Sequence, residues 1–330
     1  MTLREVLGQE GAIGRIETAL ASGRLHHAYR FEGPEGVGKA MTAFGLAQAL
    51  LCTAGDPLGC GKCRACEHAV TLRDGVPLHP DVVLIERGLY SAEQLGGKDS
   101  KTVISIDQIR TVVIGQVAFA PYEGRARVFI VLGADELSTQ AANTLLKTLE
   151  EPPPRTHFIL VTYRPSKLLP TIRSRSVPIR FAPLDDTVLT RILEARGVEA
   201  PRIKEILAEA EGSASEAVRL VDPEAWTGRR AFIDRALDAL RTPSLAESVL
   251  LAESGEKSRE LLREQIEGLA RYFARAGRRE AMTGSAARAE RLANAHERVM
   301  DAWRNLDGGQ NANTTLTVIE LLSSLRRARR

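Results

Sequence analysis

Long apolar runs are missing from this chain. No stretch approaches the roughly 18 apolar residues that a membrane helix needs, so no helical span and no membrane partner are expected. Cysteine is absent outside residues 52–66, which removes a disulfide framework from consideration. Charge of one sign is also lacking: 45 basic residues against 42 acidic leave a net +3, too little to imply a nucleic-acid partner by itself. Aromatic residues make up 5% of the chain, and "CGKCRACEHA" contains none on which a base could stack. Internal repeats and low-complexity segments are not seen. The opening "MTLREVLGQEGAIGRIETAL" is amphipathic and acidic, without an apolar signal core, so cytoplasmic residence is expected.

What is present divides the chain into three expected parts. From residue 1 to 183, short apolar runs alternate with helical patterns. The runs are "HAYRFEG", "DVVLIE", "ARVFIVLG", "THFILVT" and "VPIRF"; helix-like stretches include Thr42–Leu51, Ser105–Ala118 and Ser138–Glu150. Such alternation predicts an α/β fold with a mainly parallel sheet covered on both faces. Residues 184–222 contain "DDTVLTRILEARG" and "APRIKEILAEAEG", each with an acidic or proline start and a closing glycine, and predict a small helical domain. Residues 223–330 are amphipathic, rich in Ala, Leu, Arg and Glu, and predict a larger helical domain. Its basic end, "LRRARR", reads as a solvated last helical turn in which cations favour the helix dipole.

The stretch "GPEGVGKA" follows the first strand and leads into a helix, the context of a phosphate-binding loop. Gly33, Gly36 and Gly38 would let backbone N–H groups turn toward phosphate, and Lys39 would reach the outer phosphates. The next residue should supply a hydroxyl to Mg²⁺, but it is Ala40. Thr42 is no substitute, because two helical positions rotate a side chain by about 200°. A second part of the apparatus is also lost. The acids expected at the end of "RVFIVLG" are replaced by Leu132 and Gly133. Asp135 and Glu136 lie about 7–10 Å further on and read as an acid pair at a helix N-terminus. Nucleotide binding remains possible on this pattern, while metal-dependent hydrolysis is not expected.

Cys52, Cys60, Cys63 and Cys66 follow with the spacing C-x7-C-x2-C-x2-C. Four clustered thiols suit a closed tetrahedral Zn²⁺ site, structural rather than catalytic, contributing on the order of 10 kcal/mol to local folding. An iron–sulfur cluster takes the same number of thiols with a different common spacing. His68 is not needed once the four cysteines complete the shell. Farther on, "TIRSRS" places Arg173 and Arg175 between two strands. Solvation or pairing with local carboxylates is the ordinary reading of such arginines. An arginine projecting from an α/β core is also suited to completing another subunit's nucleotide site.

Taken in order, "HHAYRFEGPEGVGK", the four-cysteine insertion, "QAANTLLKTLEEPP", "LVTYRPSKLLPTIRSRS" and the helical last third resemble subunits of the bacterial DNA polymerase III clamp loader. Within that family the likeness is greater to the delta-prime branch than to the gamma/tau ATPase branch. The resemblance implies an AAA+ core over residues 1–183, a lid over 184–222 and an oligomerising collar over 223–330. It implies gamma/tau and delta subunits as partners, with sliding clamp and primed DNA met within the complex. Zinc would sit on the four cysteines, in a module spanning residues 52–66. Arg175 of Ser174-Arg175-Ser176 would match the family's Ser-Arg-Cys motif and act on ATP held by a neighbour, with Ser176 replacing the cysteine. Thr162 matches the first sensor position. Ala40, Leu132-Gly133 and Ser215 stand where the motor subunits carry a hydroxyl, an acid pair and a lid arginine. ATP or ADP binding is therefore expected to be weak or absent, with no independent catalysis, in a component of the polymerase III holoenzyme. The alternative is a self-sufficient gamma/tau-like ATPase with a degenerate loop.

Overall fold

The computed structural model describes residues 2–96, 103–123, 125–242, 246–254, 259–308 and 313–327. Of the stretches quoted above, Met1 and Ala328–Arg330 lie outside the described residues. The chain forms two compact units, Met1–Arg219 and Leu220–Arg330.

The first unit begins with helix α1 (Glu10–Ala21), strand β1 (Ala28–Glu32) and helix α2 (Lys39–Leu51), followed by α3 (Arg64–Val70). A small antiparallel hairpin, β2 (Leu72–Arg73) with β3 (Val76–Pro77), then precedes β4 (Val82–Ile85). This hairpin adds to the expected strands; its Asp74-Gly75 turn, with both φ angles positive, is a recognised hairpin signal. The next helix is built of α4 (Ile106–Gln108), a wider π-helical stretch (Ile109–Ile114) and α5 (Gly115–Val117). Strand β5 (Arg127–Leu132), helix α6 (Thr139–Glu150), strand β6 (Thr156–Thr162), helix α7 (Pro170–Ser174) and strand β7 (Val177–Arg180) complete the core. Helices α8 (Asp186–Glu194), α9 (Ala200–Ala210) and α10 (Ala214–Arg219) pack on one another at the end of this unit.

All five strands of the main sheet are parallel, in the order β4-β5-β6-β1-β7. Covered faces explain why these strands read as apolar runs without alternation. Val128, Phe129, Ile130 and Val131 of β5 are all fully buried. The Phe129 and Phe158 rings stack across the β5–β6 ladder, with centroids 4.9 Å apart. They lie in one core with Ile109, Val113, Leu145 and Ile172, which joins helices α6 and α7 to the sheet. Strand β1 lies between β6 and β7, so its carboxyl end opens where the connections diverge, the usual place for a ligand in such sheets.

Among the described residues, every element after β7 is helical. The second unit contains α11 (Pro223–Arg241), α12 (Ala246–Ser254), α13 (Arg259–Thr283), α14 (Ala286–Gly308) and α15 (Thr314–Arg327). Its core joins Phe232, Leu240, Ile266, Phe273, Val299 and Leu322. The basic end departs from expectation at Arg326. Its Nε donates to the Ala239 carbonyl at 3.2 Å, so this guanidinium ties α15 to α11 instead of being wholly solvated. Truncating Phe129 to alanine should remove the stacked pair and leave a cavity, costing about 3–5 kcal/mol. Urea unfolding at unchanged m-value measures this loss; an unchanged midpoint would contradict the packing.

Candidate functional site

The phosphate loop leaves β1 at Glu32 and enters α2 at Lys39. Lys39 is buried, and its ammonium donates to the Gly33 carbonyl at 2.8 Å and to the Pro34 carbonyl. Burial strips water from this ammonium and lowers its pKa from 10.5 to about 8, despite Glu35 and Asp135 acting in the opposite direction. Ala40 offers only a methyl group. The Thr42 hydroxyl is fully buried and donates to the Gly38 carbonyl at 2.9 Å, so it is committed to its own helix. Gln9 braces the loop from below: its Nε2 donates to the carbonyls of Val37 and Ala182 at 3.1 and 2.7 Å.

The start of α10 sits on this loop. The Ala214 N–H donates to the Gly36 carbonyl at 2.8 Å. Gly36 has φ +72°, and a Cβ there would run into the hydroxyls of Ser213 and Ser215. Glycine is thus required at residue 36 both by its left-handed backbone and by the serines against it. The helix meets the loop with hydroxyls, and its Arg219 is paired with Glu216 at 3.1 Å.

At the ends of β5 and β6 the acid pair has a different role from the one expected. Asp135 and Glu136 lie in a separate 3₁₀ turn, Ala134–Glu136, while Ser138 caps α6 by accepting from the Ala141 N–H at 3.2 Å. The fully buried Asp135 carboxylate accepts from the Thr162 hydroxyl at 2.7 Å and from Arg164 Nε at 2.8 Å. Glu136 faces Arg87 at 3.5 Å. Their partners lie 27 or more residues away for Asp135, beyond the reach of any local helix signal. Gly133 has φ +69°, so an acidic residue at that position would also strain the backbone.

Arg175 follows α7 directly and is partly exposed. Its Nη1 donates to the Thr171 carbonyl at 2.9 Å and its Nη2 pairs with Glu150, at the end of α6, at 2.5 Å. Arg173 is exposed. The loop, Thr162 and the start of α10 are therefore brought together near the carboxyl ends of β1 and β6, whereas Arg175 is engaged on the arm after α7.

All four cysteine thiols converge, with their Sγ atoms within 4.8 Å of one another and none in a disulfide. A tetrahedral zinc with Zn–S near 2.3 Å needs sulfurs about 3.8 Å apart, which this cluster can meet by small rotamer adjustments. Cys52 ends α2, Cys63 precedes α3 and Cys66 lies in the first turn of α3. Cys60 Sγ accepts from the N–H groups of Lys62 and Cys63 at 3.4 and 3.3 Å. The donor set fits a closed metal shell.

Residues 8–185 match the sequence profile of the family described as DNA polymerase III, delta subunit. This chain belongs to that AAA+ clamp-loader family. It is 38% identical over 198 residues to a Mycobacterium tuberculosis protein named DNA polymerase III subunit gamma/tau, covering 59% of this chain and 32% of that protein. Against the Pseudomonas aeruginosa DNA polymerase III subunit delta', identity is 37% over 199 residues, 59% of this chain and 55% of its relative. The clamp-loader chain thus spans about a third of one named relative and just over half of the other. A Thermotoga maritima crystal structure of a DNA polymerase III gamma subunit-related protein shares the fold, with a TM-score of 0.50 at 17% identity, over 96% of this chain and 99% of the other.

The depressed pKa of Lys39 has a measurable consequence. Between about 8 and 10.5 the unfolded chain holds more protons at this group than the folded one, so stability rises with pH across that window. Lys39→Met removes the effect. Wild type should therefore gain stability relative to Lys39→Met as pH rises from about 8, measured by denaturant unfolding. A difference independent of pH would contradict the buried ammonium.

Proposed function

We propose that this chain is a stator of the delta-prime type in a DNA polymerase III clamp loader, hydrolysing no ATP itself and supplying Arg175 to ATP held by an adjoining gamma/tau-type subunit. One observation carries the reading: Ala40 and Leu132-Gly133 lack the metal-binding groups, and Asp135, the nearest buried acid, is occupied by Thr162 and Arg164. A carboxylate already neutralised by two donors is poorly placed to organise Mg²⁺. Arg175, by contrast, has an exposed carboxylate, Glu150, as its charged partner, which a phosphate could replace.

In this reading residues 1–183 are the AAA+ core, 184–222 the lid and 223–330 the collar that joins the other loader subunits. Thr162 keeps the first sensor position without a substrate to sense. Partners are gamma/tau and delta subunits, with clamp and primed DNA reached through the assembly. The four cysteines hold structural Zn²⁺, which supplies the charge that lets all four thiolates share one site. The competing reading, a self-sufficient gamma/tau-type ATPase, draws on the 38% identity to a gamma/tau protein.

Reconstitution with the gamma/tau and delta subunits of the same source separates the two. Arg175→Ala should lower the DNA- and clamp-stimulated ATPase by about 10³-fold at one site, and the isolated chain should show no Lys39-dependent turnover. Wild-type turnover in the mutant complex, or hydrolysis by the chain alone that Lys39→Ala abolishes, would favour the self-sufficient ATPase. Metal analysis of the purified chain should return one zinc per chain, and Cys63→Ser should lower both the zinc content and the melting temperature. Iron in its place would overturn the zinc assignment.

A further inference from the structure

The arm that carries Arg175 is anchored by a charged residue buried in the central sheet. Arg30 lies in the middle of β1, flanked along the strand by the buried Tyr29 and Phe31, and its side chain is 7% exposed. Its Nε pairs with the Glu32 carboxylate two residues along the same strand. Its Nη1 donates to the Arg173 carbonyl at 2.9 Å and to the Ser176 hydroxyl at 2.7 Å, with the Ser176 carbonyl at 3.5 Å. The Ser176 hydroxyl in turn donates to the Ile172 carbonyl at 2.7 Å. One guanidinium therefore grips the chain on both sides of Arg175.

A buried ion pair is a poor source of stability, because desolvation offsets its Coulombic attraction and apolar residues of similar size often serve as well. The geometry of the grip gives this pair a different use. Arginine presents donors in a rigid planar fork, so it fixes the direction of the backbone it binds more firmly than a lysine would. Ser176 stands where the family's motif has cysteine, and a hydroxyl is a much better acceptor for a guanidinium than a thiol.

We propose that Arg30 is a positioning residue for Arg175: with Ser176 it fixes the arm on β1 so that the Arg175 guanidinium meets the adjoining subunit's nucleotide in a productive orientation. The proposal rests on the trans-acting role of Arg175. Its test uses the reconstituted loader and a double-mutant cycle. Arg30→Leu is combined with Glu32→Leu, so that no carboxylate is left buried without its partner.

In an otherwise wild-type loader this pair of substitutions should lower kcat for ATP by about 10–100-fold, as a displacement near 1 Å does, while KM stays unchanged. In the Arg175→Ala background the same pair should have no further effect, because both act through one group. Ser176→Ala deletes one of Arg30's bonds together with the hydroxyl's own bond to the Ile172 carbonyl, and it leaves the Arg30–Glu32 pair intact. It should give a smaller fall in kcat, again absent in the Arg175→Ala background, and decides the matter if the leucine variant does not fold. Wild-type kcat in the Arg30 and Ser176 variants, while Arg175→Ala lowers it, would overturn the positioning role alone. An equal fall in the Arg175→Ala background would also overturn it, since the effect would then be independent of Arg175. Wild-type kcat in Arg175→Ala would remove the underlying reading and the proposal with it.

Discussion

The pairing of β1 between β6 and β7 is the constraint on which the rest of the first unit depends. Parallel ladders hold Tyr29 opposite Ile159 on one side and opposite Val177 on the other. The carboxyl end of β1 becomes the phosphate loop, the end of β6 places Thr162 beside it, and the start of β7 carries the arm of Arg175. One strand therefore sets both the position of the phosphate loop and that of the arm that carries Arg175. Shifts in β1 would be felt at both.

The site around the loop is closed by its own groups. Lys39 donates to the loop's carbonyls, Thr162 donates to Asp135, and the Ser213 and Ser215 hydroxyls rest against Gly36. The Lys39 ammonium and the Thr162 hydroxyl, two groups that would face a nucleotide in a working site, are thus bonded within the chain. Buried polar groups are costly when unpaired, and these internal bonds offset that cost. The same economy does not extend to Arg175, whose Glu150 partner is 46% exposed and weakly held by the standards of a surface pair.

Much of this was readable in the sequence, for physical reasons that differ by element. The central strands were visible because a strand buried on both faces reads as a continuous apolar run, as "VFIV" of β5 does. The cysteines were visible because metal ligands must be close in sequence or brought together, and here three lie within seven residues. Asp135 was misplaced, as a helix N-terminal acid, because its partners Thr162 and Arg164 come from the next strand and no local pattern marks them. Arg30 was hidden for the same reason: "AYRFEG" reads as a strand with a charge in it, and only the fold shows Ser176 and the Arg173 carbonyl waiting 143 or more residues away.

In the proposed stator role, the chemistry this chain serves takes place on another subunit. A structure of the assembled loader with a non-hydrolysable ATP analogue and Mg²⁺ tests it most directly. A stator should show analogue bound to a gamma/tau-type neighbour, with Arg175 released from Glu150 and hydrogen-bonded to the terminal phosphate. Lys39 should still donate to the carbonyls of Gly33 and Pro34. Analogue and Mg²⁺ seated in this chain's own loop, with Arg175 still on Glu150 and away from any nucleotide, would contradict it.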